Sequence, residues 1–344
     1  MHLESKTIWQ HAAGDPQHDH TELCLKYDLI LSGVGPQTLR QEMKQGEVVV
    51  LKVGVNRVCG VGILGEYVEL GEDGAFGDLD GWTLGHARRV SWVWKGETND
   101  EDGKFDGRPL TRKTTSRLWK EEVRKWVAKK VAELKTEREP ANYAQLPKAG
   151  SPVRLIDVAD CLFNRGFRGD LIRDLLDPDR EFMELAKWYH QWWNERPSEN
   201  ETVAHLVVPF LRSLGWTPRR IALEFHNIDV ALLSDFVESD DRSAPRRDAE
   251  VVAVVEAKAV HESLLSWTAA QAKGYAERER VLRIIVTDGL RYGVFWRANA
   301  TQPWPEKPGA YLNLIRPRDR YEIYDCRGAK EAIWAMTPDW QPEP

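Results

Sequence analysis

Residues 251–260, with the sequence VVAVVEAKAV, are the stretch that most constrains the fold of this chain. A valine-rich apolar run of this length is typical of a buried β-strand. Successive side chains of a strand point to opposite faces, so Glu256 and Lys258 share one environment. Because burying either charge alone is expensive, the stretch predicts a structural ion pair or a chemical site near the end of a strand.

The chain has 344 residues, and a length above about 200 favours more than one domain. Short apolar runs alternate with glycine over residues 27–95, which predicts a small β-barrel within an N-terminal domain of residues 1–110. Apolar residues three and four apart predict an amphipathic helix over 116–139, in a helical linker region of residues 111–198. Strands then alternate with helices, which predicts a mixed α/β domain over 199–344. The fold class is thus α/β, multi-domain.

Composition excludes several classes of protein. The four cysteines lie far apart without a C-x-x-C pair, so neither a zinc site nor a disulfide framework is indicated. No apolar run approaches a membrane span and the first residues lack the pattern of a signal peptide, so we expect a cytoplasmic protein. The net charge of −6 means that binding to nucleic acid would depend on local basic patches.

Two acidic residues lie in apolar, strand-like runs, where burial of a carboxylate costs free energy. Asp229 lies inside the apolar run IDVALL, and Glu256 lies near the end of the next strand-like run. Carboxylates that converge from paired strands are the ligands that Mg²⁺ prefers, and a divalent metal is what hydrolysis of a phosphodiester requires. Lys258 would then orient water or stabilise charge on the phosphate. An ion pair at a sheet edge is the alternative for Glu256 and Lys258.

The order of these residues resembles the PD-(D/E)XK nuclease superfamily, in particular the nuclease domains of type I restriction subunits. The likeness covers roughly residues 199–300, with Ile228 where many members have a proline before the first acid. It implies Mg²⁺ as cofactor, for which Mn²⁺ can substitute, and metal ligation by Asp229, Glu256 and Glu201. The catalytic residues that it implies are Asp229, Glu256, Lys258, Gln271, Tyr275 and Glu201.

Residues 25–95 resemble PUA-like domains of the EVE and YTH branches. The likeness rests on Gly46-Glu47, on the glycine-rich run from Gly60 to Tyr67, and on the segment from His86 to Trp92. It implies a pocket for one extruded, modified nucleobase, with aromatic walls and a few polar contacts. The implied walls are Trp82, Trp92 and Tyr67, the polar contacts Ser32 and Asn56, and the contacts with the nucleic-acid backbone Arg88 and Arg89. Core packing is the alternative for Trp92.

Together these likenesses predict a modification-dependent, type IV-like restriction endonuclease that acts on phage or other foreign DNA. The expected base is a cytosine derivative in double-stranded DNA, and the expected assembly is a homodimer or a pair formed on DNA. Three alternatives stay open: an RNA-directed nuclease, a catalytically inactive binding protein, and a repair enzyme that recognises damage. His11, His18 and His20 lack metal-ligand spacing and are interpreted as residues of a disordered N-terminal end.

Overall fold

The chain divides into two compact units, Met1–Lys148 and Ala149–Pro344. This division differs from the predicted boundaries after residues 110 and 198, because helices on both sides of the new boundary join the sheet-containing units. The computed structural model describes residues 7–15, 18–33, 37–96, 101–133, 142–164, 169–192, 197–234 and 249–342. The end of the predicted helix over 116–139 and the start of the segment that follows it lie outside these ranges.

The first unit is built on a curled, half-barrel sheet where the sequence predicts a barrel. In the described residues the sheet has six strands in the order β2-β5-β4-β3-β1-β6, and β1 runs parallel to β3. Its strands are β1 (Ile8–Ala12), β2 (Leu29–Ser32), β3 (Val48–Val53), β4 (Arg57–Glu69), β5 (His86–Lys95) and β6 (Thr115–Arg117).

Helices cover this sheet and explain part of its sequence. Helix α1 (Thr21–Lys26) follows β1, a π-helical turn spans Thr38–Glu42, a 3₁₀ turn spans Ala75–Gly77, and α2 (Glu121–Ala132) packs on β4 and β5. A Cβ atom at Gly62 would stand 2.8 Å from the Trp92 ring. The glycines of β4 therefore let this indole lie flat on the neighbouring strand.

His11 is a buried part of the first sheet and not a residue of a disordered end. Its Nε2 lies 2.9 Å from the carbonyl oxygen of Leu31, and its Nδ1 lies 2.8 Å from Thr115 Oγ1. A carbonyl only accepts, so the proton is on Nε2 and the Thr115 hydroxyl donates to Nδ1. The pKa of His11 is lowered to about 4, chiefly by burial and also by the charge of Lys52, while the hydrogen bond to Leu31 acts in the opposite direction.

We expect acid to loosen the first unit through His11. Its folded pKa lies below the ordinary 6.5, so the unfolded chain binds more protons between the two values. The stabilisation is complete above about pH 6.5 and is lost as pH falls toward 4, with a total on the order of 3 kcal/mol. Hydrogen exchange of β1 and β3 amides against pH measures it. His11→Gln should flatten this dependence, and an equally steep profile in the variant would contradict the prediction.

The second unit contains a larger mixed sheet. In the described residues its eight strands follow the order β7-β8-β9-β10-β11-β12-β14-β13. Neighbours are antiparallel except β9 with β10 and β12 with β14. Its strands are β7 (Ile221–Phe225), β8 (Ile228–Leu233), β9 (Val251–Ala257), β10 (Arg283–Thr287), β11 (Arg291–Trp296), β12 (Ala310–Asn313), β13 (Arg320–Tyr321) and β14 (Cys326–Arg327).

Helices lie on both faces of the larger sheet, as the alternating pattern predicts. One face packs against most of them around Phe210, Leu232 and Val255, and the other face packs against α8 through Ala272 and Ala276. The helices are α3 (Leu155–Phe163), α4 (Gly169–Leu176), α5 (Glu181–Gln191), α6 (Glu199–Thr202), α7 (Val208–Ser213), α8 (Ala269–Glu279) and α9 (Ala329–Ala335). π-helical turns, Val203–Val207 and Leu264–Thr268, lead into α7 and α8. No helix in the described ranges is long and apolar enough to span a membrane.

Candidate functional site

Two predicted site residues lie side by side on β8 and β9. These strands are antiparallel with Val230 opposite Val255, so Asp229 and Glu256 form the next step of the ladder. Asp229 Oδ2 accepts a hydrogen bond of 2.8 Å from the backbone N–H of Ala257. Burial raises the pKa of Asp229, while this hydrogen bond and the charge of Lys258 act in the opposite direction. The register thus brings both carboxylates to the end of β9.

Glu256 is fully buried, and only one of its two carboxylate oxygens has a hydrogen-bond partner in the described residues. Its Oε1 accepts a hydrogen bond of 2.6 Å from Lys258 Nζ, and its buried Oε2 has no partner among the described residues. Burial raises its pKa to about 7, the Lys258 hydrogen bond opposes that rise, and the charge of Asp229 adds to it. An unpaired buried carboxylate oxygen is costly, so this atom marks a position that favours a cation or a donor.

Lys258 connects three groups at this point. Its Nζ also donates to the carbonyl oxygen of Ala257 at 2.9 Å and lies 3.6 Å from Glu199 Oε2. Burial lowers the pKa of Lys258, but its contact with Glu256 and the nearby acids outweigh burial, so the pKa is raised overall. Lys258 is therefore a firmly protonated ammonium among three carboxylates.

The carboxylates suit Mg²⁺, although they do not form a complete cage. Within the described ranges no group of three or more His, Cys, Asp and Glu side chains is placed to hold a metal ion. Mg²⁺ needs only one or two carboxylates because it keeps several of its waters. Asp229 and the unpartnered oxygen of Glu256 provide such a pair. By the chemistry of their oxygens, Asp229 and Glu256 therefore suit Mg²⁺.

Glu201, the predicted helix ligand, does not join this cluster. Its Oε2 accepts from the Ser198 backbone N–H at 2.7 Å and from the Ser198 hydroxyl at 2.9 Å, which closes a capping box at the start of α6. These hydrogen bonds lower the pKa of Glu201. Glu199, at the first helical position, faces Lys258 instead. The S-x-x-E spacing of Ser198 and Glu201 is the sequence signal for the cap.

A matched pair of substitutions separates the two glutamates. Burial raises the pKa of Glu199, and the charge of Lys258 opposes that rise, so Glu199 interacts electrostatically with the cluster. For the nuclease activity predicted from the sequence, we expect Glu199→Gln to lower the DNA cleavage rate roughly 10-fold, because it removes a charge that positions Lys258. Glu201→Gln should lower the melting temperature by a few degrees and leave cleavage per folded molecule unchanged. The reverse pattern would restore Glu201 as the site residue.

Gln271 and Tyr275 lie one turn apart on α8 and contact each other. Gln271 Nε2 donates to the Tyr275 hydroxyl at 3.3 Å, and the Arg278 guanidinium lies 5.2 Å from the centre of the Tyr275 ring. In the described part of the chain, neither residue has a hydrogen bond to Asp229 or Glu256. The roles that the resemblance implies for Gln271 and Tyr275 thus stay predictions.

In the first unit, Trp82 is positioned by a tight turn. The backbone N–H and carbonyl groups of Leu79 and Trp82 exchange hydrogen bonds of 2.8 and 3.0 Å. Between them, Asp80 and Gly81 have φ values of 46° and 93°, which is the Asp-Gly pattern of a type I′ turn. The turn holds the half-buried Trp82 indole beside two histidines, with ring centres 4.9 Å from His18 and 5.6 Å from His20.

Three buried polar atoms in the segment that carries these histidines have no hydrogen-bond partner in the described residues. They are His18 Nε2, His20 Nε2 and Thr21 Oγ1. Burial lowers the pKa of His20 to about 4, so its ring is neutral. An aromatic wall bordered by unsatisfied polar atoms is what recognition of a base requires. We call Trp82, His18, His20 and Thr21 the Trp82 pocket.

The other residues predicted for this pocket have different surroundings. Ser32 is the last residue of β2, opposite His86, and the Tyr67 hydroxyl lies 2.7 Å from His86 Nδ1. Trp92 Nε1 donates to the carbonyl oxygen of Cys24, so Trp92 packs between β5 and α1. Asn56 lies between β3 and β4, where its carbonyl accepts from Phe105. These contacts favour the packing alternative for Trp92, whereas the polar contacts predicted for Ser32 and Asn56 and the wall predicted for Tyr67 stay predictions.

The two arginines predicted to contact the nucleic-acid backbone donate hydrogen bonds within the first unit. Arg88 is buried and donates to the carbonyl oxygens of Leu39 at 2.5 Å and Gly65 at 2.6 Å. Arg89 donates to the carbonyl oxygens of Tyr27 and Ala144. The buried Arg88 thus has an internal role that a sequence pattern does not reveal, because it does not show which backbone carbonyls need a donor. The contact predicted for the half-buried Arg89 stays a prediction.

Replacing Arg88 therefore tests folding and not DNA binding. Arg88→Met leaves two buried carbonyl groups without donors, and we expect a loss of roughly 2–4 kcal/mol of unfolding free energy. The exposed Arg112 is the matched control, because Arg112→Met should change the unfolding free energy by less than about 0.5 kcal/mol. Urea denaturation measures both, and equal stability with weaker DNA affinity in Arg88→Met would reinstate the phosphate role.

Comparison with known proteins does not assign this chain to a family. No family model and no curated protein matches the chain. Among solved structures, the YTH domain of the Zygosaccharomyces rouxii MRB1 protein in complex with N6-methyladenosine RNA is similar, at 15% sequence identity and a TM-score of 0.23. The match covers 38% of this chain and 87% of that domain. A TM-score this low defines no shared fold.

Proposed function

We propose that this protein is a Mg²⁺-dependent DNA endonuclease that cleaves DNA containing a modified base, with a cytosine derivative as the expected base. The observation that carries the proposal is the buried, half-satisfied carboxylate of Glu256, with Asp229 beside it and the Lys258 ammonium 2.6 Å away. This acid, acid and lysine group matches the residues of the PD-(D/E)XK pattern, which supports a hydrolase acting on phosphodiester bonds.

Each residue of this cluster has a role that its surroundings support. Asp229 and Glu256 would hold Mg²⁺, which when bound offsets phosphate charge and makes water easier to deprotonate. Lys258 keeps a fixed positive charge at the end of β9, where it attracts a phosphate oxygen and opposes protonation of Glu256. Glu199 lies 3.6 Å from the ammonium and so helps to hold it in place.

The Trp82 pocket supports the base-recognition half of the proposal. A half-buried indole can stack on an extruded base, and base stacking on an aromatic side chain contributes about 1–3 kcal/mol. The unsatisfied atoms of His18, His20 and Thr21 can contact the edge of that base. Since one chain has one cluster around Glu256, cutting both strands of DNA would involve two chains.

The first experiment is cleavage of matched phage DNAs that carry unmodified, methylated, hydroxymethylated or glucosylated cytosine, with Mg²⁺ or Mn²⁺. Lys258→Ala is the variant in which cutting should be lost. Cutting confined to one modified DNA supports both parts of the proposal. Equal cutting of every DNA removes base recognition and leaves the nuclease. No cutting of DNA, with cutting of tRNA, would favour an RNA-directed nuclease.

A further inference from the structure

The proton on His18 has a defined position. Its Nδ1 lies 3.1 Å from Asp15 Oδ1, and this carboxylate oxygen also accepts from the His18 backbone N–H at 2.8 Å. A carboxylate can only accept, so the proton of the neutral ring is on Nδ1. The other ring nitrogen, Nε2, is then a bare acceptor. It is buried and has no partner in the described residues.

That acceptor stands at the edge of an aromatic surface. The rings of His18 and Trp82 lie 4.9 Å apart and only 31° from parallel, so the His18 ring packs beside the indole on which we propose that a base stacks. A buried acceptor without a donor costs about 1–3 kcal/mol. A ligand that brings an N–H group to this atom recovers that free energy. A carbonyl oxygen at the same place would be repelled, because it and His18 Nε2 are both acceptors.

We infer that the Trp82 pocket selects bases by an exocyclic amino group, which donates a hydrogen bond to His18 Nε2. The inference rests on the proposed recognition of a modified base and adds the chemical group that is read. The pocket accepts cytosine derivatives, whose C4 carries an amino group, and rejects uracil derivatives with the same C5 substituent, whose C4 carries a carbonyl. Asp15 is the positioning residue that fixes the tautomer of His18.

Matched pairs of bases test this directly. Single-stranded DNA oligonucleotides carry 5-methylcytosine or thymine, or 5-hydroxymethylcytosine or 5-hydroxymethyluracil. The two members of each pair have the same C5 substituent and differ in the group at C4 and in the hydrogen on N3. Binding is measured by fluorescence anisotropy with a chelator present, at about pH 8, where an imidazole is neutral. We expect the cytosine member of the preferred pair to bind roughly 10-fold more tightly than the uracil member.

Variants then locate the acceptor. His18→Leu should bring the ratio of the two affinities close to one. Asp15→Leu should lower this ratio only partly, because the ring proton can then move to Nε2. Asp15→Asn keeps an accepting oxygen and should keep the ratio, as should His205→Leu at an exposed position of the second unit. Circular dichroism checks that each variant is folded.

The possible failures are distinct. If wild type prefers modified over unmodified DNA but binds both members of a pair equally, base recognition stands and the amino-group inference is wrong. A ratio that persists in His18→Leu places the acceptor elsewhere and also overturns the inference. If no modified oligonucleotide binds better than an unmodified one, the proposed recognition of a modified base fails and the inference fails with it.

Discussion

Lys258→Met is expected to reduce the rate of DNA cleavage roughly 100- to 1000-fold, the loss typical when one preorganised charge or donor is removed from an active site. Methionine keeps the length of the side chain and removes the charge. The ammonium is 2.6 Å from Glu256 Oε1 and 2.9 Å from the carbonyl oxygen of Ala257, so both oxygens lose a donor at once. Cleavage should fall while the protein still binds DNA.

The pH dependence of this variant separates two explanations. Burial already raises the pKa of Glu256 to about 7, and removing Lys258 takes away the group that opposes that rise. Glu256 in the variant should therefore stay protonated to a higher pH. If Lys258 acts only by keeping Glu256 ionised, cleavage recovers as the pH is raised toward about 9. We expect little recovery, because the ammonium also acts on the phosphate.

A second lysine of the same unit provides the control. Lys273 lies on α8, and its Nζ donates to the carbonyl oxygen of Pro305 away from the carboxylates. Lys273→Met should cut DNA at nearly the wild-type rate. Both variants are compared at equal folded fraction, measured by thermal denaturation. Wild-type cleavage by a folded Lys258→Met protein would remove this cluster as the nuclease site and leave Glu256 and Lys258 as a structural ion pair.

The central cluster could be predicted because its signals are local. An alternating strand places Glu256 and Lys258 on one face, and an acid within an apolar strand marks Asp229. The sequence does not show that Glu199, and not Glu201, faces Lys258, because both residues lie in the same turn of helix. Only the capping box of Ser198 decides which carboxylate faces the sheet.

The surroundings of Trp82 could be predicted only in part, because they depend on contacts between distant segments. The Asp80-Gly81 turn is visible in the sequence, and so is Trp82. His18 and His20 come from the segment after β1, and no periodic pattern links that segment to residue 82. The internal role of Arg88 could not be predicted for the same reason, since its partners Leu39 and Gly65 are far away in sequence.

Trp82→Ala is expected to abolish the preference for modified DNA. The indole is the one wall of the Trp82 pocket large enough to stack on a base, and its loss should weaken binding of the preferred DNA roughly 10- to 100-fold. Trp82→Phe keeps an aromatic face and should keep much of the affinity. Binding to unmodified DNA should change little, because that binding depends on backbone charge and not on this pocket.

Trp92→Phe is the matched control for Trp82. It removes the hydrogen bond from Trp92 Nε1 to the carbonyl oxygen of Cys24, so it should lower the unfolding free energy by about 1 kcal/mol and leave the preference for modified DNA intact. Affinities for modified and unmodified oligonucleotides, measured with a chelator present, give the preference independently of cleavage. If Trp82→Ala keeps the preference and Trp92→Phe loses it, the base stacks at β5, and the unsatisfied atoms of His18 and His20 are then satisfied by water.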